Sequence, residues 1–75
     1  MKDKARKLPF PCIVGTENET VQNPLSGESC ILPPDAVAVY DVTIGANYLN
    51  NWEVVRKGLD WFRRYFPKEY MILLD

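Results

Sequence analysis

The side chains best suited to recognition chemistry lie in Trp61-Phe62-Arg63-Arg64-Tyr65-Phe66, where aromatic and guanidinium groups interleave. Trp, Tyr and Arg carry most of the energy at protein interfaces. The same mixture can stack unpaired bases and neutralise phosphates. On a helix, Val54, Trp61 and Tyr65 form one strip with Arg63 and Arg64 beside it. These five residues are the candidate interaction surface. The competing expectation is that Trp61 and Tyr65 pack beneath the hairpin or the C-terminal tail and recognise nothing.

A second group of cations, Lys2, Lys4, Arg6 and Lys7, crowds the start of the chain and is opposed only by Asp3. It reads either as a solvated terminus or as an arm for phosphate contacts. The net charge of -1 supplies no overall field for nucleic acid. The first expectation is therefore a protein partner or self-association. Nucleic-acid binding through the basic start together with Arg56, Lys57, Arg63 and Arg64 is the alternative.

Catalytic chemistry has little to stand on. The chain has no histidine, no Gly-rich phosphate loop and no Gly-x-Ser-x-Gly elbow. Asp35, Asp41, Glu53 and Asp60 read as cap, surface and ion-pair groups. Cys12 and Cys30 are too few for a zinc site without histidine. They read as small apolar side chains, with a bridge open to them only if they lie on paired strands. The expectation is a non-enzymatic protein with no cofactor and no metal.

The elements that must position these groups fit in one small domain of 75 residues. A chain of this size buries only about 60% of its unfolded surface. No run approaches the ~20 apolar residues of a membrane span. The apolar run Leu8 to Val14 is short and broken by Pro9 and Pro11, so it does not read as a secretory leader. The reading is a soluble, intracellular α+β domain: a basic, partly flexible arm over 1–11, a β-hairpin region over 12–32, and a helical core over 34–74.

Thr20-Val21-Gln22 and Ser29-Cys30-Ile31-Leu32 are rich in strand formers, with Asn23-Pro24-Leu25-Ser26-Gly27-Glu28 between them. Pro24 presets a turn, and Gly27 supplies positive φ. Such a hairpin must lean on a helix or add a third strand from Cys12-Ile13-Val14. Pro33-Pro34-Asp35 carries helix-start chemistry. Ala36 to Leu49 is rich in β-branched residues, yet its length favours a helix that is apolar around most of its girth.

Asn50-Asn51 reads as the turn into a second, antiparallel helix over Trp52 to Phe66, with Asn50 as N-cap and Glu53 completing a capping box. Its apolar stripe is Trp52, Val55, Leu59, Phe62 and Phe66. Its outer face offers the pairs Glu53–Lys57 and Asp60–Arg64. Gly58 implies close backbone approach, expected against Gly45 or Ala46. Pro67 ends this helix, and the apolar tail to Leu74 forms a final turn or short helix docked on the core. The expected core is Val39, Val42, Leu49, Trp52, Val55, Leu59, Phe62, Phe66, Met71 and Leu73, with Leu59→Ala costing about 2–5 kcal/mol.

The helix pair ending at Pro67 resembles half of a tetratricopeptide repeat, with Val55, Leu59 and Phe62 at packing positions. Thr43 and Ala46 stand where that motif has glycine and tyrosine, and one unit cannot form a solenoid. The segments Asn23 to Glu28, Leu32 to Asp41, Gly58 to Phe62 and Phe66 to Met71 resemble short uncharacterised proteins encoded by tailed phages of marine bacteria. That resemblance spans roughly Thr20 to Asp75. It implies a small phage accessory or virion-associated protein, in an infected bacterial host or on the particle, and carries no catalytic residue with it.

Overall fold

The computed structural model describes residues 7–74. Lys2, Lys4 and Arg6 of the basic cluster lie outside the described residues, as does Asp75. The chain forms strands β1 (Glu19–Gln22) and β2 (Ser29–Leu32), then helices α1 (Pro34–Tyr48), α2 (Trp52–Tyr65) and α3 (Pro67–Leu73). The fold is α+β: an antiparallel hairpin, a helical hairpin and a short C-terminal helix.

The hairpin register pairs Glu19 with Leu32, Thr20 with Ile31, Val21 with Cys30 and Gln22 with Ser29. Alternation turns Val21, Cys30 and Leu32 toward the helices and leaves Ile31 outside. The loop closes through turn chemistry. Gly27 adopts φ +81, its N–H donates to the Asn23 carbonyl at 2.8 Å, and the Leu25 N–H donates to Asn23 Oδ1 at 2.9 Å. The third strand at Cys12–Val14 does not form, and the sheet has two strands. Pro9 and Pro11 remove two backbone donors from the approach to that run, and the hairpin leans on α1 and α3 instead.

Pro34 opens α1, and Asp35 Oδ1 accepts the Ala36 N–H at 2.9 Å. Ala36, Val37, Ala38 and Val39 are all buried. Four consecutive buried positions mean that cover surrounds the first turn of the helix, which is how a segment so apolar stays helical. The helix ends in a Schellman motif. The Asn51 N–H reaches the Ala46 carbonyl at 2.9 Å, the Asn50 N–H reaches Asn47 at 3.2 Å, and Asn50 takes φ 60.

Asn50 thus closes α1 and does not cap α2. The N-cap is Asn51, whose Oδ1 accepts from the Val54 N–H at 3.5 Å. The shift of one residue moves Val54 to the N3 position, so Glu53 cannot complete a capping box.

The inner face of α2 is also turned from the expected stripe. Its buried residues are Gly58, Trp61 and Phe62. Gly58 meets Thr43 of α1, not Gly45 or Ala46, with Thr43 Cβ 3.0 Å and Cγ2 3.1 Å from where a Cβ would stand. Thr43 is itself buried, and its hydroxyl donates to the Val39 carbonyl at 2.7 Å. The core gathers Leu32, Ala36, Val37, Val39, Trp61, Phe62 and Leu73, with Leu8, Phe10 and Cys12 packed at its edge.

Of the expected core, Val39, Phe62 and Leu73 are buried, whereas Val42, Val55, Leu59 and Phe66 are half-buried. Leu49, Trp52 and Met71 are exposed. Leu49 and Trp52 flank the turn at the end of the helical hairpin, beyond the crossing of the two helices. Met71 lies on the outer side of α3, opposite the buried Leu73. Cys12 and Cys30 are free thiols.

Candidate functional site

The five candidate interaction residues do not share one surface. Trp61 is only 5% exposed. Its indole Nε1–H donates to the Lys7 carbonyl at 2.7 Å, and its ring meets Phe62, Tyr65 and Phe66 at centroid distances of 5.3, 5.4 and 5.5 Å. A buried indole needs an acceptor, and a backbone carbonyl of the returning chain provides it. Trp61 therefore works as a structural pin: it is buried, with Lys7 of the incoming chain as its hydrogen-bond partner and not a residue of the hairpin or the C-terminal tail, whereas Tyr65 stays exposed.

Arg63 turns toward α3. Its guanidinium donates to Asp60 Oδ1 and lies 5.5 Å from the centre of the Tyr70 ring. The hydrogen bond to Asp60, with Tyr70 second, raises its pKa above the ordinary arginine value. This replaces the expected Asp60–Arg64 pair, so Arg64 is left without a carboxylate among the described residues. The Glu53–Lys57 pair forms at 3.9 Å; both partners are exposed, and such a pair adds little stability. Val54 is half-buried on the first turn of α2.

Arg64 and Tyr65 turn the other way. Arg64 sits over the Tyr65 ring at 5.8 Å, and Tyr65 is 38% exposed. With Lys7, Lys57 and Asp60 they border an open groove of about 400 Å³ between α2 and the incoming chain. Leu8 and Pro9 form its far wall, and Trp61 lies at its floor. The groove thus presents three cations, one carboxylate already bonded to Arg63, and one accessible aromatic ring.

A second surface includes Leu49, Trp52, Val55 and Leu59, whose spacing in the sequence places them in the core. Val55 and Leu59 line an open hollow of about 290 Å³ with Ile44 of α1, Leu74 beyond α3, and Leu25 of the hairpin loop. Trp52 precedes Val55 by three residues on the same side of α2 and is 56% exposed. Tyr48 and Leu49, at the adjoining end of α1, are 81% and 80% exposed. The only sequence signal for this surface was the position of Tyr48, Leu49 and Trp52 around the Asn50-Asn51 turn, where helix ends outrun their partners.

A third hollow, of about 310 Å³, is lined by Glu17, Glu19 and Asp41 beside Ile13 and Ala38. No grouping of His, Cys, Asp or Glu among the described residues has the geometry to hold a metal ion. No helix among them is long and apolar enough to cross a membrane. No protein family, curated protein or solved structure matches the chain.

Proposed function

We propose that this domain is a small non-enzymatic protein-binding module that self-associates through the outer stripe of α2. The observation that carries this reading is the state of Trp52, Val55 and Leu59. They have the spacing of a helix face that belongs against a partner, yet Trp52 is exposed and the other two line an open hollow. Tyr48 and Leu49 extend the apolar surface past the end of the helix pair. Large exposed apolar side chains at one end of a small domain often mark an interaction surface. A second copy covers it economically, since two-fold pairing lets each stripe fill the other's hollow.

Sedimentation velocity over a range of concentrations tests this. The wild-type chain is expected to pass from monomer to dimer, and Trp52→Ala to remain monomeric. A wild-type chain that stays monomeric at every concentration, with Trp52 equally quenched by acrylamide throughout, overturns self-association.

We further propose, from the resemblance of its sequence segments to short tailed-phage proteins, that the protein acts in an infected bacterial host or on the virion. Mass spectrometry of purified particles against infected-cell lysate separates the two.

A further inference from the structure

We propose that the groove between α2 and the incoming chain is a phosphodiester site, which takes a short single-stranded nucleic acid on Lys7, Lys57, Arg64 and Tyr65. This surface is separate from the apolar stripe of α2.

The argument begins with Trp61. Its bond to the Lys7 carbonyl fixes the point at which the chain meets α2, and so holds the Lys7 side chain at a groove already bordered by Lys57 and Arg64. Cations brought together from distant parts of a chain repel one another and are solvated at a cost in freedom. A polyanion relieves that repulsion by neutralising them and releasing its own counterions. Asp60, the carboxylate that lines the groove, is bonded to Arg63, and Glu53 meets Lys57 at 3.9 Å in an exposed pair that a phosphate can displace at little cost.

The aromatic ring selects nucleic acid over an acidic protein segment. Tyr65 is accessible within the groove and carries the Arg64 guanidinium at 5.8 Å. A base laid on that ring takes the place of the guanidinium, which is then free to meet a flanking phosphate. A glutamate-rich peptide supplies the charge and has no use for the ring. Arg56 and Arg63, which looked equally suited from the sequence, lie outside the groove.

The test is fluorescence anisotropy of a labelled oligo(dT) with the full-length protein at low and near-physiological salt. Three neutralised phosphates predict a slope of log K against log salt of about −2. Lys57→Gln/Arg64→Gln is expected to weaken binding at least about tenfold at low salt and to flatten the slope by about 1.4. Arg56→Gln leaves both unchanged. Tyr65→Ala weakens binding about fivefold or more with the slope intact, provided its thermal melt shows the fold retained. Trp52→Ala binds as wild type, which keeps this result independent of self-association.

Three results overturn the proposal. One is absence of binding even at low salt. Another is an Arg56→Gln loss equal to that of the double variant. The third is polyglutamate competing as well as unlabelled oligo(dT), which would assign the groove to acidic protein segments.

Discussion

Gly58 of α2 lies directly against the side chain of Thr43 of α1, with Thr43 Cβ and Cγ2 at 3.0 and 3.1 Å from the position a methyl group would take and Thr43 Oγ1 overlapping it. The approach of the two helices is set by the absence of a side chain at one residue and a buried, hydrogen-bonded hydroxyl at the other. Alanine is the better helix former by about 1 kcal/mol, so local propensity alone favours Gly58→Ala. Overpacking costs about 1–3 kcal/mol and should win. Urea denaturation is expected to show Gly58→Ala destabilised. Thr43→Ala in the same chain should recover part of that loss, giving a favourable coupling in a double-mutant cycle. A Gly58→Ala chain as stable as wild type would mean that the helices separate freely at this point.

Phe62 and Leu59 should separate in the same assay. Phe62 is fully buried and packs against Tyr40, Trp61 and Phe66, so Phe62→Ala should cost about 3–5 kcal/mol. Against a marginal total stability, that loss unfolds much of the population. Leu59 borders an open hollow. Leu59→Ala is expected to cost the monomer only about 1–2 kcal/mol, below the usual core range. Equal losses at the two positions would restore the stripe through Val55, Leu59 and Phe66 as the inner face of α2.

The Trp61–Lys7 bond predicts a local effect larger than its global one. Trp61→Phe keeps most of the ring packing and removes the donor, at a cost of about 1–2 kcal/mol. What changes most is the hold on the chain at Lys7. Limited trypsin digestion should cut after Lys7 faster in Trp61→Phe than in wild type. Unchanged cleavage would show that Leu8 and Phe10 hold the segment alone.

Cys12 and Cys30 give a pH signature. Burial raises both pKa values above the ordinary thiol value of 9.0, with Asp35 adding to the shift at Cys12 and Glu69 at Cys30. In this window the folded chain holds protons that the unfolded chain has released, so stability falls as pH rises. The contribution is complete below the ordinary thiol pKa and is lost as pH passes through the raised values. Denaturation midpoints should fall above about pH 9, and less so in Cys12→Ala/Cys30→Ala relative to its own neutral-pH value. A midpoint that rises across that range would contradict the burial of these thiols.

The hairpin was legible because its signals are local: Asn23 and Gly27 specify the loop whatever surrounds it. The helical state of α1 was legible from Pro34, Asp35 and length, against the β-branched residues. The orientation of α2 was not. Its sequence carries two adjoining apolar strips, one through Val55, Leu59, Phe62 and Phe66 and one through Val54, Gly58, Trp61 and Tyr65. Periodicity establishes the helix and does not say which strip faces inward. That choice was made by partners remote in sequence: Thr43 against Gly58, and Lys7 against Trp61. The cap followed a similar logic. Asn50 and Asn51 have the same side chain, and only the backbone of Asn50, in the left-handed region, assigns one to closing α1 and the other to opening α2. The candidate site suffered most, since Trp61 was a plausible anchor until its indole nitrogen proved to be occupied.

The amide Nδ2–H of Asn23 donates to the carbonyl of Ile72 at 2.9 Å, a bond between residues 49 apart in the chain. The Trp61–Lys7 bond spans 54. During synthesis the hairpin and Lys7 are made well before the residues that secure them. A two-stranded hairpin is marginal by itself in water, and closing loops of this length delays the contacts that reward it. Until Ile72 is made, the Asn23 amide that secures the hairpin has no acceptor. Docking of the hairpin through Asn23 therefore comes only after α3 has been made, well after both strands.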